Sequence, residues 1–287
     1  MIGTTAIVVD SASYLPHQIR ERFGVEVVPM RVTIGSETFR EFVDIDSAGF
    51  YGRLADGVAP QTSQPPPGEF LDAYKRAAEA GAQAVLSVHI GSTLSGTVNS
   101  ARLAAGMSPI PVHIVDTGQA SFVEGLCAWA ACEALEAGAS IEEAGSAGLR
   151  AGGRSGNVFI VRGLELLERG GRYRAASRGS QTSVPVLALI DGAVSPVGQA
   201  TTIDEAMELM VAYLESRSVP GARLRIGVSN GAASELASRL EQRILSSRVA
   251  GFIDELVQYE VGPSVGAHTG PGCTGIVFQS KEGHGSC

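Results

Sequence analysis

The amino-acid sequence predicts an α/β fold built from two α/β domains, the first with a mainly parallel sheet and the second with a mixed sheet. The first half alternates short β-branched apolar runs with helical patterns, which is typical of parallel strands joined by crossover helices. In the second half, the turn Asp191-Gly192 between two strand-like runs predicts a hairpin. A chain of 287 residues is long enough for one large or two modest domains.

Apolar runs of four to eight residues predict the strands of the first half. These are Ala6–Val9, Val25–Val32, Ala84–Ile90 and Val112–Val115. Helical periodicity predicts the elements between them, and Pro67 with Glu69 gives one of these helices a favourable first turn. The predicted helices are Leu15–Phe23, Pro67–Ala80, a segment from the glycine-rich loop to about Gly106, Glu124–Ala137 and Ile141–Ala151.

The second half has more strands and a different order of elements. Strands are predicted at Val158–Val161, Val184–Leu189, Leu224–Val228, Leu256–Val261 and Thr274–Phe278, and helices at Ile203–Arg217 and Ala233–Ser246. We therefore place a first domain at residues 1–155 and a second at 156–280. Residues 281–287 form a polar tail that we expect to be loose.

Composition excludes several classes of function. The chain carries 22 basic and 30 acidic residues, a net charge of −8, which disfavours nucleic acid or an anionic membrane as the partner. Apolar runs stay shorter than the ~18–20 residues of a membrane-spanning helix, and the first ten residues lack a basic signal-peptide region. The four cysteines show no C-x-x-C or zinc-ligand spacing, so we expect a soluble cytoplasmic protein with reduced thiols and no metal or cofactor.

The best candidate for a binding site is the segment Gly91-Ser92-Thr93-Leu94-Ser95-Gly96-Thr97. It lies between a buried strand and a helix, so its backbone N–H groups and the helix N-terminus face the carboxyl edge of the sheet. Four hydroxyls in six residues add donors for an anion. Ser95 acting only as a helix cap is an equally good interpretation of this loop alone.

Two further loops are rich in hydroxyl groups, glycine or proline. In Gln61–Pro67 the triple proline stiffens the backbone beside Thr62 and Ser63, although a plain connector between helices is the better interpretation of that loop taken alone. The loop Gly262–Gly272 contains His268, the one histidine of five within a glycine-rich loop.

Motifs for the familiar enzyme classes are missing or incomplete. Gly262-Pro-Ser264-Val-Gly266 matches G-x-S-x-G, but a hydrolase elbow needs a helix after the serine, and the residues that follow do not predict one. The chain has no Walker A motif, no strand-linked G-x-G-x-x-G and no H-E-x-x-H.

The loops taken together resemble the DegV family of bacterial fatty-acid-binding proteins. Five motifs occur in order between residues 7 and about 279, so the similarity covers nearly the whole chain. They are Asp10-Ser11, Thr62-Ser63-Gln64-Pro65, Leu94-Ser95-Gly96-Thr97, Leu167-Glu-Arg-Gly-Gly-Arg172 and Gly266-Ala-His268-Thr-Gly-Pro-Gly272.

This resemblance implies a fatty-acid carrier, not an enzyme. One long-chain fatty acid such as palmitate would lie buried between two α/β domains and be presented to a separate fatty acid kinase. Hydroxyls of the second and third motifs would hold the carboxylate, which carries over to Thr62 and Ser95, with His268 and Arg172 from the last two motifs. The wider set of expected ligand-binding residues adds Ser63, Ser92, Gly96 and Thr97.

The sequence also departs from the family pattern. Gln61 stands where a threonine is usual, and Tyr173 replaces an isoleucine. Basic residues are missing at Val184-Pro185 and at Gly198-Gln199-Ala200-Thr201. These losses bear on docking of a kinase more than on lipid binding. The alternative is an enzyme on a related fold, with Ser95 or His268 acting on an acyl or phosphoryl substrate.

Overall fold

The computed structural model describes residues 1–54, 57–162, 164–171, 173 and 183–281. The chain separates into two compact units. The first is formed by Met1–Asp46 with Pro60–Gly153, and the second by Ser47–Ala59 with Arg154–Cys287. The second unit thus includes a short segment from the first sixty residues, which a single boundary near residue 155 leaves out.

The described strands, in chain order, are β1 Thr5–Asp10, β2 Val25–Val28, β3 Arg31–Ile34, β4 Glu37–Arg40, β5 Gln61–Ser63, β6 Ala84–His89, β7 Val112–Asp116, β8 Ser155–Ile160, β9 Val184–Ile190, β10 Ala193–Ala200, β11 Leu224–Gly231, β12 Ile253–Glu260 and β13 Cys273–Ser280. The described helices are α1 His17–Phe23, α2 Ser47–Leu54, α3 Pro67–Glu79, α4 Thr97–Ala105, α5 Phe122–Glu136, α6 Ile141–Gly153, α7 Glu165–Arg169, α8 Ile203–Arg217, α9 Ser234–Leu245 and α10 Pro263–Thr269. A 3₁₀ turn at Ser11–Ser13 follows β1 directly.

The first unit is centred on a parallel sheet with the strand order β2-β1-β6-β7. Alternate side chains of its strands point to opposite faces. On β7, Val112 and Ile114 pack against the helices α3 and α4, whereas His113 and Val115 meet Gly145 on α6. Helices therefore cover both faces, which confirms the predicted α/β fold with a parallel first sheet.

Sequence spacing explains which side of α3 is buried. Phe70, Ala73, Tyr74 and Ala77 recur at intervals of three and four residues, and all four are buried. Pro67 occupies the first turn of α3, where the missing N–H costs nothing. The helix therefore presents one apolar stripe to the sheet, whereas Asp72, Lys75, Arg76 and Glu79 remain exposed.

A three-stranded antiparallel sheet, β4-β3-β5, accompanies the parallel one. The predicted single strand Val25–Val32 is wrong, because the chain breaks between β2 and β3 and these strands belong to different sheets. Pro29 lies at this break, and a proline cannot donate to a strand ladder. Gln61–Ser63, predicted as loop, is the short strand β5.

The second unit contains a six-stranded mixed sheet with the order β10-β9-β8-β13-β11-β12. The β11–β12 pair is parallel and the other pairs are antiparallel, as predicted for a mixed sheet. The predicted hairpin is confirmed between β9 and β10, where Asp191 and Gly192 both have positive φ angles of 49° and 74°. Two consecutive positive φ angles are what a tight two-residue hairpin turn requires.

Helices also pack on both faces of the second sheet. The described residues of α8 and α9 form one core with Val158, Ile160 and Val186. The next residue along two of these strands, Val161 and Leu187, joins a separate cluster with Leu167 of α7. Because neighbouring strand residues point to opposite faces, these two cores lie on opposite sides of the sheet.

The segment expected to be a glycine-rich loop at Gly262–Gly272 is helical over most of its length. Gly262 caps α10, Pro263 takes the first helical position, and Gly270 ends the helix with a φ of 72°. Most of the glycines and prolines lie at the ends of the helix, where they favour its start and stop, and Gly266 alone lies in its middle. The expectation that no helix follows Ser264 was therefore wrong.

Candidate functional site

In the parallel sheet of the first unit, the order in which the chain adds strands reverses between β1 and β6. The chain passes from β1 to β2 on one side and later returns to β6 on the other side. In open α/β sheets, ligands bind outside the carboxyl ends of the strands at such a switch point. The segment Gly91–Thr97 follows β6 at this place, and Asp10 ends β1 beside it.

Asp10 joins the two strand ends. Its Oδ2 accepts the backbone N–H of Ile90 at 3.1 Å, and its Oδ1 accepts that of Ala12 at 3.1 Å. The same carboxylate lies 3.2 Å from Nδ1 of His89. A buried carboxylate thus fixes the residue from which the candidate loop departs.

Ser95 lies half-buried at the start of α4. Gly96, not Ser95, is the cap residue of the helix, and the Ser95 Oγ accepts the N–H of Thr97 at 3.3 Å. The hydroxyls of Ser95 and Thr97 are 2.8 Å apart. The position of Ser95 one residue before the cap weakens the interpretation that it serves only as a helix cap.

Thr97 is fully buried and makes a second contact. Its hydroxyl donates to Sδ of Met30 at 3.4 Å. The Met30 backbone N–H is in turn donated to Ser11 Oγ at 2.9 Å. Thr97 therefore orients Ser95 from the protein interior, while the Asp10-Ser11 motif fixes Met30.

The expected residues Thr62 and Ser63 lie on β5, at the edge of the small sheet, opposite Val32 and Arg31. Thr62 is half-buried and Ser63 is exposed. The side chain of the next residue, Gln64, lies against Gly96, where an added Cβ would meet its Cδ at 3.0 Å. The second and third motifs therefore lie next to each other within the first unit.

Ser92 is exposed and turned toward a carboxylate. Its backbone N–H is donated to Asp116 Oδ1 at 3.0 Å, and Gly118 N–H adds a bond at 3.2 Å. Although burial acts to raise the pKa of Asp116, hydrogen bonds from Ser92 and Gly118 lower it below its usual range. This arrangement ties Ser92 to the strand β7 and leaves Ser95 as the better-placed hydroxyl of the loop.

In the second unit, His268 lies on α10 and its ring packs against Gly170 at the end of α7. A Cβ at Gly170 would stand 2.4 Å from His268 Nδ1. The fourth and fifth motifs therefore meet, because the glycine leaves room for the ring. Arg172 lies outside the described residues.

Ser264 occupies the first turn of α10 and is buried. It is not among the described non-glycine residues with a positive φ angle, so it lacks the strained turn of a hydrolase elbow. Although a helix follows Ser264, the strained turn that exposes the nucleophile of a hydrolase is missing.

A Ser–His–Asp arrangement, which the sequence did not indicate, lies beneath the candidate loop. Ser87 Oγ is 2.7 Å from His89 Nε2, and the other ring nitrogen faces Asp10. All three side chains are fully buried, and the Tyr74 hydroxyl lies 2.9 Å from Ser87. Ser87 is enclosed under α3 and has no access to a substrate. These hydrogen bonds therefore connect structural elements and do not form a catalytic triad.

Two more buried carboxyl groups complete this polar cluster. Glu41 accepts bonds from the hydroxyls of Ser11 and Tyr14, the latter at 3.3 Å. Glu124 is fully buried, and burial together with the charge of Asp10 raises the pKa of Glu124 well above its ordinary value. Polar residues within the apolar run Ala84–Ile90 were the available signal in the sequence for this cluster.

Two kinds of feature are absent from the parts of the chain that the structure describes. No group of three or more His, Cys, Asp or Glu residues there has the arrangement of a metal site. Among the same residues, no helix combines the length and apolar character needed to cross a bilayer.

The chain is similar to known proteins over nearly its whole length. The family model described as "Uncharacterised protein, DegV family" matches residues 4–281. A DegV domain-containing protein of Streptomyces coelicolor is 38% identical over 279 residues, covering 96% of this chain and 98% of that protein. A solved structure of a fatty-acid-binding DegV family protein from Thermus thermophilus has a TM-score of 0.90 and 34% identity, covering 97% of this chain and 100% of that one. DegV, a fatty acid binding protein from Bacillus subtilis, has a TM-score of 0.86 and 28% identity, with coverage of 97% and 99%.

Proposed function

Because the chain belongs to the DegV family, we propose that it binds one long-chain fatty acid, such as palmitate, by its carboxylate and its acyl chain. The observation that carries this proposal is the half-buried Ser95 at the switch point, with the Thr62 segment beside it. The chain also shares its fold with proteins from Thermus thermophilus and Bacillus subtilis that are described as fatty-acid-binding.

The carboxylate is held by neutral donors in this proposal. The hydroxyls of Ser95 and Thr62 and the N-terminus of α4 supply hydrogen bonds and a positive dipole end. Burying a dozen or so methylenes contributes roughly 10 kcal/mol before the costs of association. The polar end therefore needs only modest bonds, which leave the carboxylate available for chemistry.

The remaining expected residues have supporting roles in the proposal. Ser63 and Ser92 border the two loops, Gly96 admits Gln64, and Thr97 orients Ser95. His268 and Arg172 bind the same carboxylate from the second domain, with the acyl chain in a tunnel between the domains; this part rests on the family resemblance.

We further propose that the protein is a carrier without catalytic activity of its own, which presents the acyl carboxyl to a fatty acid kinase. The missing basic residues at 184–185 and 198–201 predict that kinase docking here uses other contacts than in most relatives. A purified kinase and acyl-phosphate detection would test this step separately from lipid binding.

Mass spectrometry of the purified protein tests the binding proposal directly. We expect one co-purified fatty acid per chain and uptake of one equivalent by the delipidated protein. The Ser95→Ala variant should bind about two- to tenfold more weakly, because one neutral hydrogen bond contributes about 0.5–1.5 kcal/mol.

Thr38→Ala provides a matched control, since it removes an exposed hydroxyl from β4 of the same unit. It should retain wild-type affinity. Absence of both co-purified acid and uptake would refute the proposed function, and equal affinity of Ser95→Ala and wild type would refute the site.

A further inference from the structure

Glu124 is a carboxyl group that the binding site proposed above does not use. It lies in the first turn of α5, and its side chain is fully buried. Neither of its oxygens accepts a hydrogen bond from any donor in the described part of the chain. A glutamate at this helix position often reaches back to the cap N–H, but Glu124 instead lies beside Asp10.

Close packing holds Glu124 in that place. The next residue, Gly125, contacts the turn Ser11–Ser13 so closely that an added Cβ would stand 2.4 Å from the Ser13 carbonyl oxygen. Ser13 also donates its hydroxyl to the Asp10 carbonyl at 2.8 Å. The first turn of α5 is thus pressed against the end of β1.

The neighbouring groups all disfavour the ionised form of Glu124. The groups that face it are Asp10 at the end of β1, Glu41 after β4, and the thiol of Cys127 on its own helix. In the described structure, no cation pairs with it. An isolated buried carboxylate is far too costly to persist without a partner.

Asp10 differs from Glu124 because donors surround it. The N–H groups of Ala12 and Ile90 and the ring nitrogen of His89 all lie within 3.2 Å of its oxygens. Hydrogen bonds to a carboxylate favour its charged form, and a carboxyl without donors favours the neutral one. When two carboxyl groups share a site, one of them keeps a proton.

We propose that Glu124 is a neutral carboxylic acid at pH 7 and donates its proton to ionised Asp10, and that this acid–carboxylate pair positions the ligand-binding loop Gly91–Thr97. The bond satisfies the otherwise unpartnered Glu124 carboxyl. It also compensates the negative charge of Asp10, which fixes Ile90 immediately before the loop. Glu124 and Asp10 are positioning residues, since neither is placed to touch the ligand. The loop part of this proposal rests on the proposed function, whereas the shared proton does not.

The shared proton has a consequence for stability. Folded Glu124 keeps a proton that the unfolded chain releases above a pKa of about 4.3. Stability therefore decreases as pH rises from about 5 toward the folded pKa, by about a tenfold change in the unfolding equilibrium constant per pH unit. Loss of the proton would place two like charges side by side and loosen the Asp10 tether on Ile90.

Denaturant unfolding between pH 5 and 9 tests the proton assignment. Glu124→Gln is neutral at every pH and keeps a donor for Asp10. The unfolding equilibrium constant of wild type should therefore contain an increase of about tenfold per pH unit that the variant lacks. Glu136→Gln, on the exposed side of the same helix, is the matched control and should keep the wild-type pH profile.

Infrared spectroscopy supplies a second measurement that needs no ligand. Wild type should show the carbonyl band of a protonated carboxylic acid at pH 7, and Glu124→Gln should lack it. Equal pH profiles for wild type and Glu124→Gln, or the absence of that band in wild type, would overturn the shared proton. These results hold whether or not the protein binds fatty acid, so they separate this inference from the proposed function.

Fatty-acid affinity measured against pH tests the positioning role. Wild type should lose affinity as Glu124 loses its proton at alkaline pH, and Glu124→Gln should keep its neutral-pH affinity over the same range. Asp10→Asn should bind more weakly at every pH, because an amide oxygen replaces only one of two accepting oxygens. Parallel pH profiles of affinity for wild type and Glu124→Gln would refute the coupling of the pair to the loop.

Discussion

Thr97 shows how a single side chain acts on the candidate site without being accessible to a ligand. It is fully buried, it contacts Met30, and its hydroxyl lies within hydrogen-bond distance of Ser95. When Ser95 turns its proton toward a bound carboxylate, the Thr97 hydroxyl can donate to the Ser95 oxygen instead. In the proposed site, the threonine thus supports the donor that would face the ligand.

We expect Thr97→Val to weaken fatty-acid binding by roughly two- to tenfold, because the isosteric change removes one supporting hydrogen bond of about 0.5–1.5 kcal/mol. Thr97→Ser keeps the hydroxyl and should bind like wild type, although it loses a methyl group. Titration with a fluorescent fatty acid checks both variants. Wild-type affinity in Thr97→Val would mean that binding does not depend on the hydrogen bond between Thr97 and Ser95.

The residues of the candidate site were predictable to different degrees. Hydroxyls at the end of a strand or beside prolines are visible in the sequence, but the resemblance to the DegV family selected Ser95 and Thr62 among them, and their role stays a prediction. The pairing of Asp10 with Glu124 was not, since it depends on how α5 packs against the turn after β1. A buried contact between residues 114 positions apart produces no local pattern in the sequence.

At the scale of elements, the packing of α5 depends on one small residue. Gly125 allows the helix to approach the Ser13 carbonyl, where an added Cβ would come within 2.4 Å. Backbone atoms cannot move aside as a flexible side chain can. This contact brings Glu124 to Asp10 and so connects helix packing with the polar cluster.

Gly125→Ala should therefore lower the free energy of unfolding by about 1–3 kcal/mol, the usual cost of overpacking. Gly153→Ala, in the last turn of α6, meets nothing within 4 Å and should leave stability unchanged or raise it by up to about 1 kcal/mol. Urea denaturation of the two variants provides the comparison. Equal free energies of unfolding for the two variants would show that α5 can move away from the Ser13 carbonyl without loss of stability.

Long helices and the buried strands of the first sheet were predicted well, and several short helices were not. The predicted bounds of α8 agree with the structure, and β6, β7 and α3 differ by one residue at an end. The short elements α2, α7 and α10 were missed, because five to eight residues give little periodicity and their packing partners are distant in sequence. The sequence of α10 in particular is rich in residues that are usually read as loop.

At the scale of the whole molecule, the thiols report on the integrity of both units. Cys127 and Cys132 lie in the first unit and Cys273 in the second, and burial raises the pKa of each to about 12. Thiolates, which are the reactive form, therefore do not accumulate in the folded protein at ordinary pH. Resistance to alkylation follows from burial alone.

Iodoacetamide should leave these three cysteines unmodified in the native protein up to about pH 9, and modify them after addition of urea. Peptide mass spectrometry identifies each site separately. Modification of Cys273 before Cys127 at intermediate urea would show that the second unit unfolds first. Rapid native modification of any of the three would contradict the packing described above.

The helix α2 belongs to the second unit although it precedes most of the first in sequence. Phe50 is fully buried, and its ring and that of Tyr51 both contact the region of Gly266 on α10. The Tyr51 hydroxyl donates to the Val261 carbonyl at 3.1 Å. The second unit therefore needs this early segment for its packing.

Phe50→Ala should cost about 3–5 kcal/mol of stability, as removal of a buried aromatic ring usually does. Hydrogen exchange measured by mass spectrometry should show faster exchange in α10 and its neighbours in the second unit, not in β3 and β4. Phe42→Ala, which removes a half-exposed ring from the first unit, is the control. Loss of protection confined to residues 1–46 would refute the assignment of α2.

The position of α2 also affects synthesis of the chain. Tyr51 leaves the ribosome 210 residues before Val261, the residue whose carbonyl it binds. At about 5–20 residues per second, this separation corresponds to roughly 10–40 s. During that time the aromatic side chains of α2 have no folded partner in the second unit. The second unit therefore cannot complete its packing until the chain has been synthesised beyond Val261.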